Sequence, residues 1–202
     1  MIGLFGGSFD PIHHGHLLVA QVVAESLGLE QVRFLPAGQQ PFKQDRHQAP
    51  AASRAVMVAL AIAGEPRFAL DTIELDRPGP SYTVDTLRLL RRREPAARFA
   101  VIIGSDTARD LPKWREPDAL PDLAEWIVVA RPGIPLPELP WAVRVVTVPA
   151  IDISATAVRA RVAAGRSARY WVPEGVARFI SGEGLYLPDA QDDYYQGLRD
   201  PV

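Results

Sequence analysis

Among the 202 residues there is no cysteine and there are only two methionines. The first absence removes disulfides, thiolate metal sites and cysteine nucleophiles together, and it agrees with a reducing compartment. No apolar run approaches the ~20 residues of a membrane-spanning helix. The opening residues also lack the basic, apolar, small-residue pattern of an export signal, so the chain reads as cytoplasmic. A surplus of positive charge is missing too. The formal net charge is −2, which gives no general attraction for polyanions; nucleic acid is disfavoured as a partner, and any phosphate must be bound by a local site.

What is present is an ordinary globular balance, with 48% hydrophobic and 23% charged residues and enough length for one full core. Apolar runs at 1–5, 32–36, 67–73, 99–103, 126–130 and 143–148 read as strands. Helical spacing marks 17–27, stopped by Gly28, and also 51–63 and 82–93. Alternation of this kind predicts an α/β fold: a Rossmann-like doubly wound sheet of mostly parallel strands with helices on both faces, because parallel neighbours need crossover connections. One domain is expected over 1–187. The polar residues 188–202 read as a tail.

The stretch GGSFDPIHHGH joins the first strand to the first helix. Gly6 and Gly7 would let main-chain N–H groups approach a phosphate, or they simply make a tight turn. His13 and His16 stand three apart at a helix start, on one side of its positive end, and Gly15 between them leaves room for a flat ligand. The pair suits anionic oxygens. Metal binding is the rival reading, but no further His or Cys group completes a nitrogen or sulfur shell, and no protein metal site is expected. Farther on, Ile153 precedes Ser154, Thr156 and Arg159. That set is either a capped helix with a surface arginine or a polyphosphate site. Arg91, Arg92 and Arg93 end a helix and complement its dipole.

The segment GGSFDPIHHGH resembles the HxGH nucleotidyltransferases, and Ile153 to Arg159 resembles their second signature, ISxTxxR. PSYTVDTL, GSD, LPKW and VPEGVARFISGEGLY, in that order, resemble segments of the bacterial nicotinate-nucleotide adenylyltransferases. The likeness covers about residues 1–187. It implies transfer of AMP from ATP to nicotinate mononucleotide, giving nicotinate adenine dinucleotide and pyrophosphate in NAD biosynthesis. ATP would be held by Gly6, Gly7, Ser8, Phe9, His13, His16, Gly104, Asp106, Ile153, Ser154, Thr156 and Arg159, with Asp106 on the ribose. Lys43, Ser81, Tyr82, Thr83 and Trp114 would bind the pyridine nucleotide, with Trp114 stacked on the ring and the 82–83 amides on the carboxylate. His16, His13, Lys43 and Arg159 would carry catalysis, and Mg2+ would arrive mainly on the ATP phosphates. The sequence departs from the family at Gln40 and Phe42, in place of the usual Pro-Pro-His-Lys run, while Lys43 is kept. Pantetheine-phosphate adenylyltransferase, which has a TxGH form, and a non-catalytic sensor of ATP and pyridine nucleotide are the alternatives.

Overall fold

The computed structural model describes residues 1–39, 49–130, 136, 138, 139 and 141–188. Six strands form one sheet: β1 (Ile2–Gly7), β2 (Gln31–Pro36), β3 (Phe68–Leu70), β4 (Phe99–Gly104), β5 (Glu125–Ala130) and β6 (Arg144–Thr147). Their order is β3-β2-β1-β4-β5-β6, and every pairing is parallel. The helices are α1 (His14–Leu27), α2 (Ala51–Ile62), α3 (Thr83–Arg93), α4 (Ser105–Ala108), α5 (Leu120–Leu123), α6 (Ala155–Ala163) and α7 (Glu174–Gly182). Two short 3₁₀ turns, Leu111–Lys113 and Pro117–Ala119, precede α5.

The continuous apolar strands are explained by burial on both sides. In β4, Ala100 and Ile102 join one core, while Phe99, Val101 and Ile103 join the other, as the two-residue strand period requires. The first core is closed by Ala20, Val23, Met57, Val58, Val158, Val176 and Ile180, from α1, α2, α6 and α7. The second is closed by Val84, Leu87 and Leu90 of α3, with Leu111 and Leu120 below it. Gly28, at φ 60°, ends α1, and the Leu29 N–H donates to the Ala24 carbonyl at 2.9 Å.

Two boundaries differ clearly from those read in the sequence, and one helix lies where the sequence reading places none. Helix α1 starts at His14 rather than at residue 17, because its first turn is the polar HGH segment and carries no apolar period. Strand β3 keeps only three of the seven residues expected: after Leu70 the Asp71 carboxylate accepts from the Ile73 N–H, and Thr72 receives the Leu75 N–H, so the chain turns. Helix α7 escaped the periodicity reading, being only nine residues long with glycines at positions 175 and 182. The arginines at the end of α3 sit where the dipole favours them, and Arg91 donates to the Asp122 carbonyl at 2.6 Å.

Strand order reverses between β1 and β4, which opens a crevice at the carboxyl ends of these two central strands. Their rigidity rests on the double core. Ile102→Ala, at a fully buried site, should lower unfolding free energy by about 2–5 kcal/mol, whereas Val145→Ala on the exposed side of edge strand β6 should stay within about 0.5 kcal/mol. Urea denaturation of the two variants measures both.

Candidate active site

The loop leaving β1 is anchored by its apolar residues. Phe9, at φ 47°, buries its ring against Phe5 at 5.7 Å, Phe34 at 5.7 Å and His16 at 5.1 Å between centroids, and Ile12 is wholly buried. Phe9 is 1% exposed, so its side chain anchors the loop and is turned away from the crevice. At Gly6 and Gly104 a Cβ would meet nothing within 4 Å, so both face the open crevice. At Gly7 a Cβ would press on the Phe9 ring at 3.1 Å.

His13 caps α1 in an extended conformation, and its main-chain N–H donates to His16 Nδ1 at 3.2 Å. That bond fixes the tautomer of neutral His16, because an accepting Nδ1 leaves the proton on Nε2. The two imidazoles stack with centroids 3.7 Å apart. Gly15 serves this stack: a Cβ there would lie 3.0 Å from His13 Nδ1. The absence of a Cβ at Gly15 thus lets the His13 ring lie close against the first turn of α1. The His14 N–H is also spent, donated to the Trp171 carbonyl at 3.3 Å, which removes one donor from the expected main-chain cradle.

Burial, and then the charge of His14, push the His13 pKa down to about 4. Burial, and then His13, lower His16 well below 6.5. Both rings are neutral at pH 7, and each is a hydrogen-bond group rather than a cation. Buried His13 Nδ1 has no partner among the described residues.

The second signature closes on the first. Ser154 caps α6, its Oγ accepting the Ala157 N–H at 3.1 Å. One turn on, Arg159 Nη1 donates to the Asp10 carbonyl at 2.8 Å and Nη2 to Thr156 Oγ1 at 3.4 Å. The Ile153 carbonyl stands 3.7 Å from where a Gly15 Cβ would be. Two segments about 140 residues apart in sequence thereby share one rim. Asp106 extends into solvent just beyond β4, 4.0 Å from the Arg109 guanidinium.

The remaining candidates gather over the other core. Tyr82 caps α3 with extended backbone and Thr83 begins it; the Arg115 guanidinium lies 4.8 Å from the Tyr82 ring centroid. The Ser81 hydroxyl accepts the Gly38 N–H at 3.1 Å and bonds the Glu74 carboxyl, so it fastens the β2 and α3 loops together. Trp114 is half-buried, edge-on to Trp126 at 5.9 Å. Lys43 lies outside the described residues.

Several residues at the rim escaped the sequence reading. Arg54 is 1% exposed; Nη1 donates to the Ser8 carbonyl at 2.8 Å and Nη2 to the Gly38 carbonyl at 3.5 Å, joining the β1 and β2 loops. Its signal was present, since it lies three and four residues before buried Met57 and Val58, on the apolar stripe of α2. Glu74 is buried beneath Ser81, and burial raises its pKa against the hydrogen bonds of Thr86 and Ser81. The Asp10 carboxylate, 2% exposed, accepts from the Tyr186 hydroxyl at 2.7 Å and the Ala49 N–H at 3.2 Å. Neither pairing has a local sequence pattern.

Nitrogen-15 NMR should find His16 protonated on Nε2 alone at pH 6, and His13 titrating near pH 4. Because both pKa values are lower in the folded chain, the unfolded chain binds more protons, so their contribution to stability is complete above about pH 6.5 and is lost as pH falls towards 4. The thermal midpoint should fall over that window, and fall less in His13→Asn.

Residues 4–161 match the family model described as cytidylyltransferase-like. A protein of Thermus thermophilus named "Probable nicotinate-nucleotide adenylyltransferase" is 51% identical over 92% of this chain and 98% of its own length. A protein of the same name from Geobacillus thermodenitrificans is 46% identical over 92% of this chain and 85% of its own. The fold is shared with the nicotinic acid mononucleotide adenylyltransferase of Plasmodium falciparum solved in complex with NaAD, at a TM-score of 0.77 and 19% identity, over 92% of this chain and 96% of that one. With its two signatures meeting at one rim, the chain belongs to the cytidylyltransferase-like family, among the nicotinate-nucleotide adenylyltransferases.

Proposed function

We propose that the chain transfers AMP from ATP to nicotinate mononucleotide, forming nicotinate adenine dinucleotide and releasing pyrophosphate. The observation that carries this reading is the meeting of the stacked His13 and His16 with Arg159 at the crevice, in a chain half identical to relatives of that name.

The reacting groups need no protein nucleophile. An oxygen of the mononucleotide phosphate, already ionised, attacks the α-phosphorus of ATP; the bond from that phosphorus to the bridging oxygen breaks, and pyrophosphate leaves with its electron pair. The protein's work is then alignment and stabilisation of charge. His16 supplies its Nε2–H to phosphate oxygens, in an orientation set by the bond at Nδ1. A bound polyanion favours the protonated ring, so the depressed pKa rises when ATP arrives and the donor strengthens where negative charge collects. His13 packs against His16 and assists at the triphosphate. Arg159, Ser154 and Thr156 are assigned to the β- and γ-phosphates, Asp106 to the ribose, and Lys43 to reducing repulsion between the two anionic reactants.

Mg2+ would be carried by the oxygens of ATP. The groups at the rim are mainly hydrogen-bond donors, suited to the anion rather than to a hard cation, and the ion would supply charge neutralisation on the phosphates. For the second substrate, the α3 N-terminus at Tyr82 and Thr83 favours a carboxylate over a neutral amide, and Trp114 offers an aromatic face to a flat ring.

With ATP, Mg2+ and nicotinate mononucleotide, the purified protein should release pyrophosphate and a product of dinucleotide mass; ligand binding without pyrophosphate would instead identify a sensor. His16→Ala should lower turnover by roughly 10²-fold or more, and near-normal turnover would remove His16 from the reaction. Trp114→Ala should raise KM for the pyridine nucleotide far more than KM for ATP. An equal rise in both would place Trp114 outside the substrate pocket.

A further inference from the structure

The loop between β1 and α1 is held from a direction that neither signature contains. The chain beyond α7 returns to it at Tyr186, whose hydroxyl donates to Asp10 Oδ1 at 2.7 Å across a separation of 176 residues. The phenol is buried, with Met57 Sδ 3.9 Å from its oxygen. On the same Asp10, the main-chain carbonyl receives Arg159 Nη1 at 2.8 Å. One residue therefore accepts from Tyr186 with its side chain and from Arg159 with its backbone, three positions before His13.

The backbone at both ends of this link is unusual. Tyr186 has φ 66° and Phe9, next to Asp10, has φ 47°. Bulky residues adopt the left-handed region only where surrounding contacts over-determine it, and such residues gather at working sites. A hydroxyl given to a buried carboxylate is also among the stronger hydrogen bonds. Burial, and then the Asp10 charge, push the phenol pKa up, so Tyr186 remains a donor throughout the working pH range.

We propose that Tyr186 is a positioning residue for ATP: through Asp10 its hydroxyl holds the β1 loop and Arg159 in the arrangement that receives the triphosphate. The pyridine-nucleotide groups Tyr82 and Trp114 pack with the opposite core, so the effect is confined to the ATP half of the site. This rests on the assignment of Arg159 and the histidines to ATP made above.

Tyr186→Phe removes only the hydroxyl. In the full-length protein, calorimetric titration with ATP alone should show a Kd raised about tenfold, equivalent to about 1.4 kcal/mol. KM for ATP should rise in parallel, and KM for nicotinate mononucleotide should change less than about twofold. A merely structural role would lower the thermal midpoint or the active fraction and leave both constants in place. Asp10→Ala should weaken ATP binding too, and adding Tyr186→Phe to it should have little further effect, because the acceptor is already gone. If Asp10→Ala does not fold, Asp10→Asn is used against Tyr186→Phe, and a combined loss smaller than the sum of the two is expected. An unchanged Kd in Tyr186→Phe, equal shifts for both substrates, or strictly additive effects would overturn the proposal. A wild-type chain that binds ATP but makes no dinucleotide overturns the substrate reading, and the calorimetric comparison still decides Tyr186. A wild-type chain that does not bind ATP overturns both.

Discussion

Parallel pairing sends every strand of the sheet the same way, so each carboxyl end lies along one rim and each connection must cross a face before the next strand begins. Burial of both faces follows, with one core under α1, α2, α6 and α7 and the other under α3. So does the crevice, since the order turns back between β1 and β4. The candidate groups inherit their neighbourhood from this arrangement: Gly6 and Gly7 end β1, Gly104 ends β4, and Ser154 follows β6 at the start of α6. None of these segments needs to be near another in sequence.

A rim made of loops needs fastening, and here much of it is done with main-chain carbonyls. Ser8 receives Arg54, Asp10 receives Arg159 and Gly38 also receives Arg54. Guanidinium suits this task because its planar fork can donate in two directions at once while staying charged. Over the other core, Ser81 takes the corresponding role, tied to Gly38 and to the buried Glu74. A charge buried in this way is costly unless paired, and Asp10 lies close enough to offset part of the penalty for Arg54. The same groups that would meet an anionic ligand thereby also define the loops' shape.

The histidine pair is electrostatically different from the arginines. Packed against one another, with His16 also against Phe5 and Phe9, the two rings are neutral in the free protein. A neutral imidazole costs less to bury than an imidazolium, and it can gain a proton when phosphate supplies the opposing charge. Fixed positive charge at the rim then comes from arginine, while the histidines stand there as neutral hydrogen-bond groups.

Much of the fold was legible in the sequence. Strong apolar runs gave β1, β2, β4 and β5, and Gly28 stopped α1, because burial on both faces and a left-handed helix end leave local marks. The two signatures were legible as well, along with the cap at Ser154, since each is a short pattern on one turn of helix. The short α7 and the early end of β3 were not, because nine helical residues or three strand residues carry too little period. Tertiary structure alone decided that the His13 ring lies close against Gly15, that the Phe9 ring turns into the core, and that the Ser81 hydroxyl bonds Glu74. It alone brought Tyr186 to Asp10 and Arg54 to Ser8. The sequence determines which residues can form an element or cap a helix, because those energies act within a few positions; which buried polar groups become partners depends on how whole layers pack, and no local pattern encodes that distance.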